Sequence, residues 1–149
     1  INWSGFNPLI GKNQDEYGPR FHDMSDGYHK FYRDQLLGIA NKTNQQIFEG
    51  IYCMYSGPNF ETPAEINALK VIGGNAVGMS TVPEVLVANH CNLPVIAISV
   101  ITNLAAGMNK TKLSHKETLE NASLAENNIL QLIKNFITEV TFDDSTGNN

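Results

Sequence analysis

The order of secondary structure can be read from the stretch Ile51-Tyr52-Cys53-Met54-Tyr55-Ser56-Gly57-Pro58-Asn59-Phe60-Glu61-Thr62-Pro63-Ala64-Glu65. Its first five residues form a short apolar run that the turn formers Ser56-Gly57-Pro58 end, and this pattern predicts a buried strand. Thr62, Pro63 and Glu65 then occupy the N-cap, N1 and N3 positions of a predicted helix, where they are typical of a capping box. A buried strand that leads into a helix within a few residues is typical of an α/β fold.

Two more strands and two more helices are predicted beyond this first pair. After the helix ends at Gly73-Gly74, residues 76–79 read as a second strand, followed by a helix over residues 82–90. Residues 94–101 form the strongest predicted strand, apolar on both faces as a central parallel strand should be. A last amphipathic helix is predicted over residues 114–138. Alternating strands and helices predict a parallel sheet with right-handed crossovers.

The residues before this alternation predict a loop and a helix. Residues 1–27 contain several Gly and Pro without apolar periodicity and read as a long ordered loop. Helical spacing from Tyr28 to about Ile47 predicts a helix, with Ser25 or Asp26 as its cap. The chain opens at Ile1 without a structural element, so we expect further sequence upstream.

Composition favours one soluble domain that acts on small molecules or other chains. The 149 residues are enough for a single core, which we assign to residues 1–140 with the α/β part over 28–140. The polar residues 141–149 read as a disordered tail. A net charge of -5 without a basic cluster argues against nucleic-acid binding. No apolar run reaches a membrane span and no signal peptide is evident, so we expect a cytoplasmic protein.

The cysteines and histidines indicate neither a disulfide framework nor a metal site. Cys53 and Cys91 lie in apolar surroundings and read as buried free thiols. His90 and Cys91 lack further ligands at suitable spacing, so we interpret them as packing residues and expect no metal.

Three short stretches lie where predicted strands end, which is where open α/β sheets bind ligands: residues 56–62, 78–84 and 101–103. Together they offer an aromatic ring, a carboxylate, a thioether, a hydroxyl and an amide. This set suits a polar planar heterocycle that carries a sugar, with apolar walls and a few placed polar groups. The walls would be Phe60 and Met79, and the hydrogen-bonding groups would be Glu61, Ser80 and Asn103.

Each of these residues also has an ordinary structural interpretation. Phe60 and Met79 are compatible with core positions. Glu61 before a helix interacts favourably with the helix dipole, and Ser80 is a candidate N-cap. His115 is compatible with an exposed position at a helix start. Asn103 is harder to explain in this way, because burying an unsatisfied amide at the end of an apolar strand is costly.

Five ordered blocks carry a resemblance to a known family. With them the chain, from Ile1 to about Ile137, resembles the C-terminal half of a trimeric, low-molecular-mass purine nucleoside phosphorylase. The blocks are Ile1-Asn2-Trp3-Ser4-Gly5-Phe6-Asn7-Pro8-Leu9, Arg20-Phe21-His22-Asp23-Met24-Ser25-Asp26, Gly57-Pro58-Asn59-Phe60-Glu61-Thr62, Gly78-Met79-Ser80-Thr81-Val82-Pro83-Glu84-Val85 and Ile101-Thr102-Asn103-Leu104-Ala105-Ala106-Gly107. The resemblance implies the C-terminal part of a three-layer α/β/α fold with a mostly parallel mixed sheet.

The resemblance also implies a reaction. Phosphate would attack the anomeric carbon of a purine nucleoside and release the base and ribose 1-phosphate, with phosphate as co-substrate and no cofactor. Glu61 and Asn103 would be the catalytic pair, the former at N1 of the base and the latter at N7 and O6. Asn103 rather than Asp favours a 6-oxopurine such as inosine or guanosine over the 6-amino base of methylthioadenosine phosphorylases.

The other site residues are assigned by the same resemblance. Phe60 would face the base, while Met79 and His115 would contact the ribose. Tyr52, on the strand below the base pocket, would also belong to the ribose-binding residues, and Ser80 would bind phosphate. Phe21 would reach the pocket of a neighbouring subunit, which implies a homotrimer.

The family places most of its phosphate-binding residues upstream of the position of Ile1. We therefore expect this chain alone to lack phosphorolysis and to need an N-terminal segment or chain that completes the phosphate site. Two alternatives stay open: a non-catalytic purine-binding or oligomerisation module, and a methylthioadenosine-type phosphorylase.

Overall fold

The computed structural model describes residues 1–108 and 113–142. Two short strands, β1 (Tyr52–Met54) and β2 (Ala76–Gly78), pair in parallel with Tyr52 opposite Ala76. Each is followed by a helix, so the predicted α/β alternation with a parallel sheet is confirmed. The helices are α1 (Lys30–Lys42), α2 (Pro63–Val71), α3 (Val82–His90) and α4 (His115–Glu139). Within these ranges, no helix combines the length and the apolarity needed to cross a membrane.

Residues 1–3 lie beside β1 on the side opposite β2. The Met54 N–H donates to the Ile1 carbonyl over 2.8 Å, and the Trp3 N–H donates to the Met54 carbonyl over 2.9 Å. Asn2 thereby forms a parallel bridge with Met54. This isolated bridge is not part of a named strand, and α1 is the first helix or strand of the described chain. From Ser4 to Gly27 the described chain contains no helix or strand, as predicted.

Helix α1 is shorter than the predicted span of residues 28–47. Of the two predicted caps, Asp26 accepts the Lys30 N–H over 2.9 Å. At the other end, the Thr43 hydroxyl donates to the Ile39 carbonyl, and Asn44 adopts a positive φ of 59°. A residue in this left-handed region cannot continue a right-handed helix, so α1 ends before the apolar spacing does.

The other three helices begin where the sequence predicts. Thr62 accepts the Glu65 N–H, and the Glu65 carboxylate accepts the Thr62 N–H over 2.7 Å, which completes the capping box of α2. Ser114 caps α4 by accepting the Glu117 N–H over 3.2 Å. Helix α3 has the predicted bounds, but no side chain caps its start at Thr81. The alternative reading of Ser80 as a helix cap is therefore wrong.

The predicted strand over residues 94–101 is absent from the sheet. No ladder joins these residues to another part of the described chain. A strand exists only when its backbone groups have a partner strand, and neither β1 nor β2 provides one here. The predicted strand is therefore wrong for the described residues: the segment has an apolar pattern, but it forms no strand pairing there.

Two small cores hold the elements together. The first joins α1 to α4 through Leu36, Ala40 and Leu132, with Ile96 packed against them. The second joins β1 to α2 and consists of Cys53, Ile66 and Leu69, against which Val77, Ala105 and Ala106 pack. This second core lies directly beneath the ends of the strands and fixes the loops that follow them.

Both cysteines are free thiols as predicted, but only Cys53 has the predicted burial. Cys53 is fully buried, and burial raises the pKa of its thiol, whereas Cys91 is only half-buried. Of the predicted disordered tail, residues 143–149 lie outside the described residues.

Candidate functional site

The first two candidate stretches meet at the carboxyl ends of β1 and β2. The Tyr55 N–H donates to the Gly78 carbonyl over 2.8 Å, which continues the strand pairing by one residue. Beyond it, the side chain of Met79 lies on the backbone of Gly57, where an added Cβ would lie only 2.5 Å from the Met79 Sδ. Gly57 has a φ of 62°, so glycine meets both the backbone and the space requirement here. The turn after β1 and the turn after β2 therefore form one surface.

The loop that follows the third stretch lies beside the first one. Ala105 and Ala106 pack on the core formed by β1 and α2, and Gly107 lies against Pro63 at the first turn of α2. A Cβ at Gly107 would lie 2.7 Å from the Pro63 Cβ, so this loop is in direct contact with the start of α2. The first two stretches therefore form one surface, and residues 105–107 adjoin it.

Glu61 lies largely buried in this region, and no described residue donates a hydrogen bond to its carboxylate. The residue is only 6% exposed. Its carboxylate oxygens are not among the fully enclosed, unpartnered side-chain atoms of the described residues, so they are accessible at the surface. The nearby start of α2 provides a favourable dipole, but its free N–H groups are taken up in part by the capping box. An accessible carboxylate without a protein donor can accept a hydrogen bond from a ligand N–H.

Asn103 is held by two threonines. Its Nδ2 donates to the Thr102 hydroxyl over 3.0 Å and to the Thr118 hydroxyl over 3.3 Å. Because the Thr118 hydroxyl itself donates to the Ser114 carbonyl over 3.2 Å, it must accept from Asn103, and this fixes which end of the amide is nitrogen. The amide is therefore not unsatisfied, contrary to the cost argument made from the sequence.

This orientation limits what Asn103 offers a ligand. Both amide hydrogens are engaged by the threonines, which leaves the Oδ1 carbonyl as the available group. In this orientation Asn103 can accept a hydrogen bond from a ligand. To donate one, its amide must first break its hydrogen bond to one of the two threonines. No pattern in the sequence indicates a role for Thr118, which lies on α4 fifteen residues further along the chain.

The predicted residues Tyr52 and Ser80 are also brought together. The Ser80 N–H donates to the Tyr52 hydroxyl over 3.3 Å, and the Ser80 hydroxyl lies 3.4 Å from the same oxygen. The next residue, Thr81, has a φ of 77° and ψ of -49°, and the Val82 N–H donates back to the Ser80 carbonyl over 2.8 Å. These values describe a γ-turn, which is a strained conformation for a β-branched residue. Ser80 is thus presented on a strained turn at the start of α3.

The two predicted wall residues are partly exposed at this surface. Phe60 is 38% and Met79 40% exposed, which does not fit the alternative that both are core. His115 is exposed at the first turn of α4, the turn that Asn103 contacts through Thr118. In the described part of the chain, His115 makes no hydrogen bond to another predicted site residue.

Phe21 lies away from the other site residues and is 89% exposed. Its loop packs on the C-terminal end of α3, where His22 and His90 have ring centroids 5.7 Å apart and Gly18 lies against the His90 carbonyl. The buried His90 also hydrogen-bonds Asn13 over 3.0 Å, in agreement with its predicted packing role. Ser80 precedes the opposite end of α3, about 13 Å away along the nine-residue helix. In the described part of the chain, Phe21 makes no hydrogen bond or ring contact with another predicted site residue.

Neither the surface depression on α4 nor a metal-ligand cluster adds to the predicted site in the described residues. An open apolar depression on α4, lined by residues such as Ala122, Ile129 and Ile133, contains none of the predicted site residues. Within residues 1–108 and 113–142, no group of three His, Cys, Asp or Glu side chains is placed to hold a metal ion.

Comparison with known proteins gives one consistent result. Residues 1–138 match the sequence model of the phosphorylase superfamily. Purine nucleoside phosphorylase 1 of Bacillus subtilis is 45% identical over 139 residues, which are 93% of this chain and 51% of that protein. The chain therefore spans about half the length of the curated relatives it matches.

Solved structures with the same fold include ligand complexes. Isoform 2 of purine nucleoside phosphorylase from Schistosoma mansoni, in complex with cytosine and ribose-1-phosphate, has a TM-score of 0.89 and 37% identity. The match covers 96% of this chain and 53% of that one. A Schistosoma mansoni purine nucleoside phosphorylase with bound inosine has a TM-score of 0.86 and 32% identity, covering 91% and 49% of the two chains.

Proposed function

The chain belongs to the phosphorylase superfamily, and from that membership we propose that it forms the base- and ribose-binding half of a purine nucleoside phosphorylase. The reaction would be the phosphorolysis of 6-oxopurine nucleosides such as inosine and guanosine. The observation that best supports this proposal is the largely buried Glu61, to whose carboxylate no described residue donates a hydrogen bond, beside the loops that follow β1 and β2. A 6-oxopurine carries an N1–H that would supply the missing hydrogen bond.

Glu61 and Asn103 would act on the leaving base. Phosphate attacks the anomeric carbon, the bond from that carbon to N9 breaks, and the electron pair moves onto the purine while the sugar becomes oxocarbenium-like. A proton taken up at N7 turns that atom into a donor, and the Asn103 Oδ1 is oriented to accept from it. Because these hydrogen bonds strengthen as charge develops on the base, they would lower the barrier rather than only bind substrate.

Sugar and phosphate would lie on the β2 side of the site. The partly exposed Phe60 and Met79 offer apolar surface to the base and the ribose, and His115 would contact the 5'-hydroxyl. Ser80 would bind phosphate through its hydroxyl, while its N–H is held by Tyr52 and becomes available only when that bond exchanges. This gives Tyr52 a role in positioning Ser80 instead of a direct contact with the base.

The rest of the enzyme would come from outside this chain. We propose that an N-terminal segment or chain supplies most of the phosphate site, and that the active form is a cytoplasmic homotrimer in purine salvage. The exposed Phe21 fits a contact with a neighbouring subunit. Phosphate would be a co-substrate, and no cofactor is proposed.

The proposal is tested by inosine turnover. The 149-residue chain alone is expected to release no hypoxanthine, whereas the chain fused behind the unmatched half of the Bacillus subtilis relative should do so when phosphate is added. Robust turnover by the chain alone would contradict the half-site assignment. Methylthioadenosine turned over faster than inosine by the fusion would instead favour the methylthioadenosine-type alternative.

The second candidate, a non-catalytic purine-binding module, is favoured only by the length of the match, which leaves about half of each relative unaccounted for. It predicts hypoxanthine binding by a folded fusion that never turns over inosine.

A further inference from the structure

Tyr55 ties the end of β1 to the first turn of α2. Its hydroxyl donates to the Glu65 Oε1 atom over 3.0 Å, and its backbone N–H donates to the Gly78 carbonyl over 2.8 Å. Tyr55 is therefore fixed to the sheet by its backbone and to the helix by its side chain. The loop that separates Tyr55 from the helix, residues 56–61, carries Glu61 at its end.

This loop has few bonds of its own. Within the described chain, no backbone N–H or carbonyl of residues 56–61 bonds to another backbone group. A loop without such bonds depends on contacts at its ends for a defined position. The Met79 side chain lies on Gly57 near the start of the loop, and the bond from Tyr55 to Glu65 joins the two ends.

The Glu65 carboxylate passes this constraint on to Glu61. Its Oε2 atom accepts from the Thr62 N–H and from the Thr62 hydroxyl, each over 2.7 Å, while its Oε1 atom accepts from Tyr55. The Thr62 N–H belongs to the peptide unit whose carbonyl is that of Glu61, and a peptide unit is planar. A carboxylate that fixes this N–H therefore also limits the orientation of the Glu61 backbone, from which the side chain projects.

The contact from Tyr55 goes beyond what the helix itself requires. A capping box needs only the N-cap and N3 residues, here Thr62 and Glu65, because each accepts the N–H of the other. The Tyr55 hydroxyl occupies the carboxylate oxygen that the capping box does not use. Since the last torsion of a glutamate side chain is only loosely restricted, a donor on the second oxygen limits the rotation of the carboxylate. The Glu65 carboxylate in turn raises the pKa of the Tyr55 phenol, so the hydroxyl remains a donor at neutral pH.

We propose that Tyr55 is a positioning residue for base recognition, which holds the loop through Glu65 so that the Glu61 carboxylate can accept the N1–H of a 6-oxopurine. This inference rests on the proposed function, which assigns Glu61 to the base. Tyr55 would act without touching the base, because its hydroxyl is engaged by Glu65. Hydrogen bonds weaken steeply when their geometry is distorted, so a loop that loses this tie should recognise N1–H less well.

The ratio of two affinities tests the proposal in the chain itself. Hypoxanthine carries an N1–H, whereas 1-methylhypoxanthine carries a methyl group there and cannot donate to Glu61. Tyr55→Phe should reduce the preference for hypoxanthine over 1-methylhypoxanthine about fivefold in calorimetric titrations. A partly unfolded variant binds both bases less well and leaves the ratio unchanged, so the ratio separates positioning from loss of stability.

Tyr17→Phe is the matched control. Tyr17 is 59% exposed, and its hydroxyl makes no hydrogen bond to another described residue, so this variant should keep the wild-type ratio. An unchanged ratio in Tyr55→Phe, or an equal change in Tyr17→Phe, would overturn the proposal.

Glu65→Ala shows whether Tyr55 acts through Glu65. In this background the Tyr55 hydroxyl has lost its acceptor, and Tyr55→Phe should change the ratio no further. Effects of the two substitutions that simply add would mean that Tyr55 acts independently of Glu65, against the proposal.

Hydrogen exchange of two amides separates this inference from the proposed function. The Thr62 amide bonds to the Glu65 carboxylate, and the Ile66 amide bonds to the Thr62 carbonyl within the first turn of α2. Tyr55→Phe should speed exchange of the Thr62 amide about fivefold and leave that of the Ile66 amide unchanged. Unchanged exchange at Thr62, or equal acceleration at both amides, would overturn the positioning role.

A wild type that binds the two bases equally would reject the base-binding role of Glu61, and with it the proposed function. Exchange of the Thr62 amide would then still decide whether Tyr55 holds the loop. Faster exchange at Thr62 alone would retain the tie, and unchanged exchange would reject it as well.

Discussion

The Asn103 amide donates a hydrogen bond to the Thr118 hydroxyl over 3.3 Å, and that hydroxyl in turn donates to the Ser114 carbonyl over 3.2 Å. This relay of two hydrogen bonds connects Asn103 to the first turn of α4. It also sets the direction of the amide, so that the Oδ1 carbonyl is the group open to a ligand. We therefore expect the base preference of the proposed site to depend on Thr118, a residue that is not itself expected to touch the base.

Thr118→Val is predicted to increase the preference for hypoxanthine over adenine. Valine keeps the shape of threonine but removes the acceptor, which frees one Asn103 N–H to donate to the O6 of a 6-oxopurine. One additional neutral hydrogen bond is worth about 1 kcal/mol, or about fivefold in the ratio of dissociation constants. Calorimetric titration with the two bases measures this ratio.

Thr118→Ser is the control, because it keeps the hydroxyl and should keep the wild-type ratio. A ratio that is unchanged by valine, or changed equally by serine, would show that the relay does not govern base preference.

Gly57→Ala is predicted to displace Met79 and to weaken nucleoside binding. The added Cβ would lie 2.5 Å from the Met79 Sδ, and alanine is disfavoured at the φ of 62°. The backbone strain alone should lower the free energy of unfolding by about 1–2 kcal/mol. Urea denaturation measures the stability, and inosine titration measures the binding.

Gly38→Ala is the matched control for this substitution. Gly38 lies within α1, and an added Cβ would meet no atom within 4 Å. Alanine there should raise the stability by about 1 kcal/mol, because it is the better helix former. If both alanine variants had the same effect, the contact between Gly57 and Met79 would not be the cause.

The capping box of α2 is predicted to make stability depend on pH through Glu65. The Thr62 N–H, followed by the hydroxyls of Thr62 and Tyr55, lowers the pKa of Glu65 from its ordinary value of 4.5. A lowered pKa in the folded state stabilises the fold above pH 4.5, and this contribution is lost as the pH falls through the folded-state pKa. Glu65→Gln should therefore lower the melting temperature at pH 7 and have little effect at pH 3.

Glu117→Gln at the same position of α4 serves as the comparison, since no described bond joins the Glu117 carboxylate to the Ser114 N–H. It should show a smaller difference between pH 7 and pH 3. Equal pH dependence in the two glutamine variants would mean that the helix dipole, and not the reciprocal bond, is responsible.

The sequence predicted those elements whose signals act over a few residues. Thr62, Pro63 and Glu65 contact one another within a single turn, so the start of α2 was correct to the residue. The predicted end of α1 was wrong, because the left-handed conformation of Asn44 ends the helix while the apolar spacing continues. The strand predicted over residues 94–101 is not formed, because pairing depends on a partner that an apolar pattern does not specify.

The same distinction applies to the candidate site. The loops after β1 and β2 could be predicted to meet because parallel strands end at one edge. The orientation of Asn103 could not, since it is set by Thr118 on a distant helix. The γ-turn at Thr81 could not be predicted either, because threonine rarely adopts this conformation. The surrounding structure must maintain it.

The central claim is that Glu61 and Asn103 form a purine-base site, and hypoxanthine binding by the 149-residue chain tests it most directly. Isothermal titration should give saturable binding by the wild type, with at least tenfold weaker binding in Glu61→Ala and in Asn103→Ala. Glu126→Ala, which removes an exposed carboxylate on α4, should bind as the wild type does. Unchanged affinity in both site variants, or no hypoxanthine binding by the folded wild type, would contradict the claim.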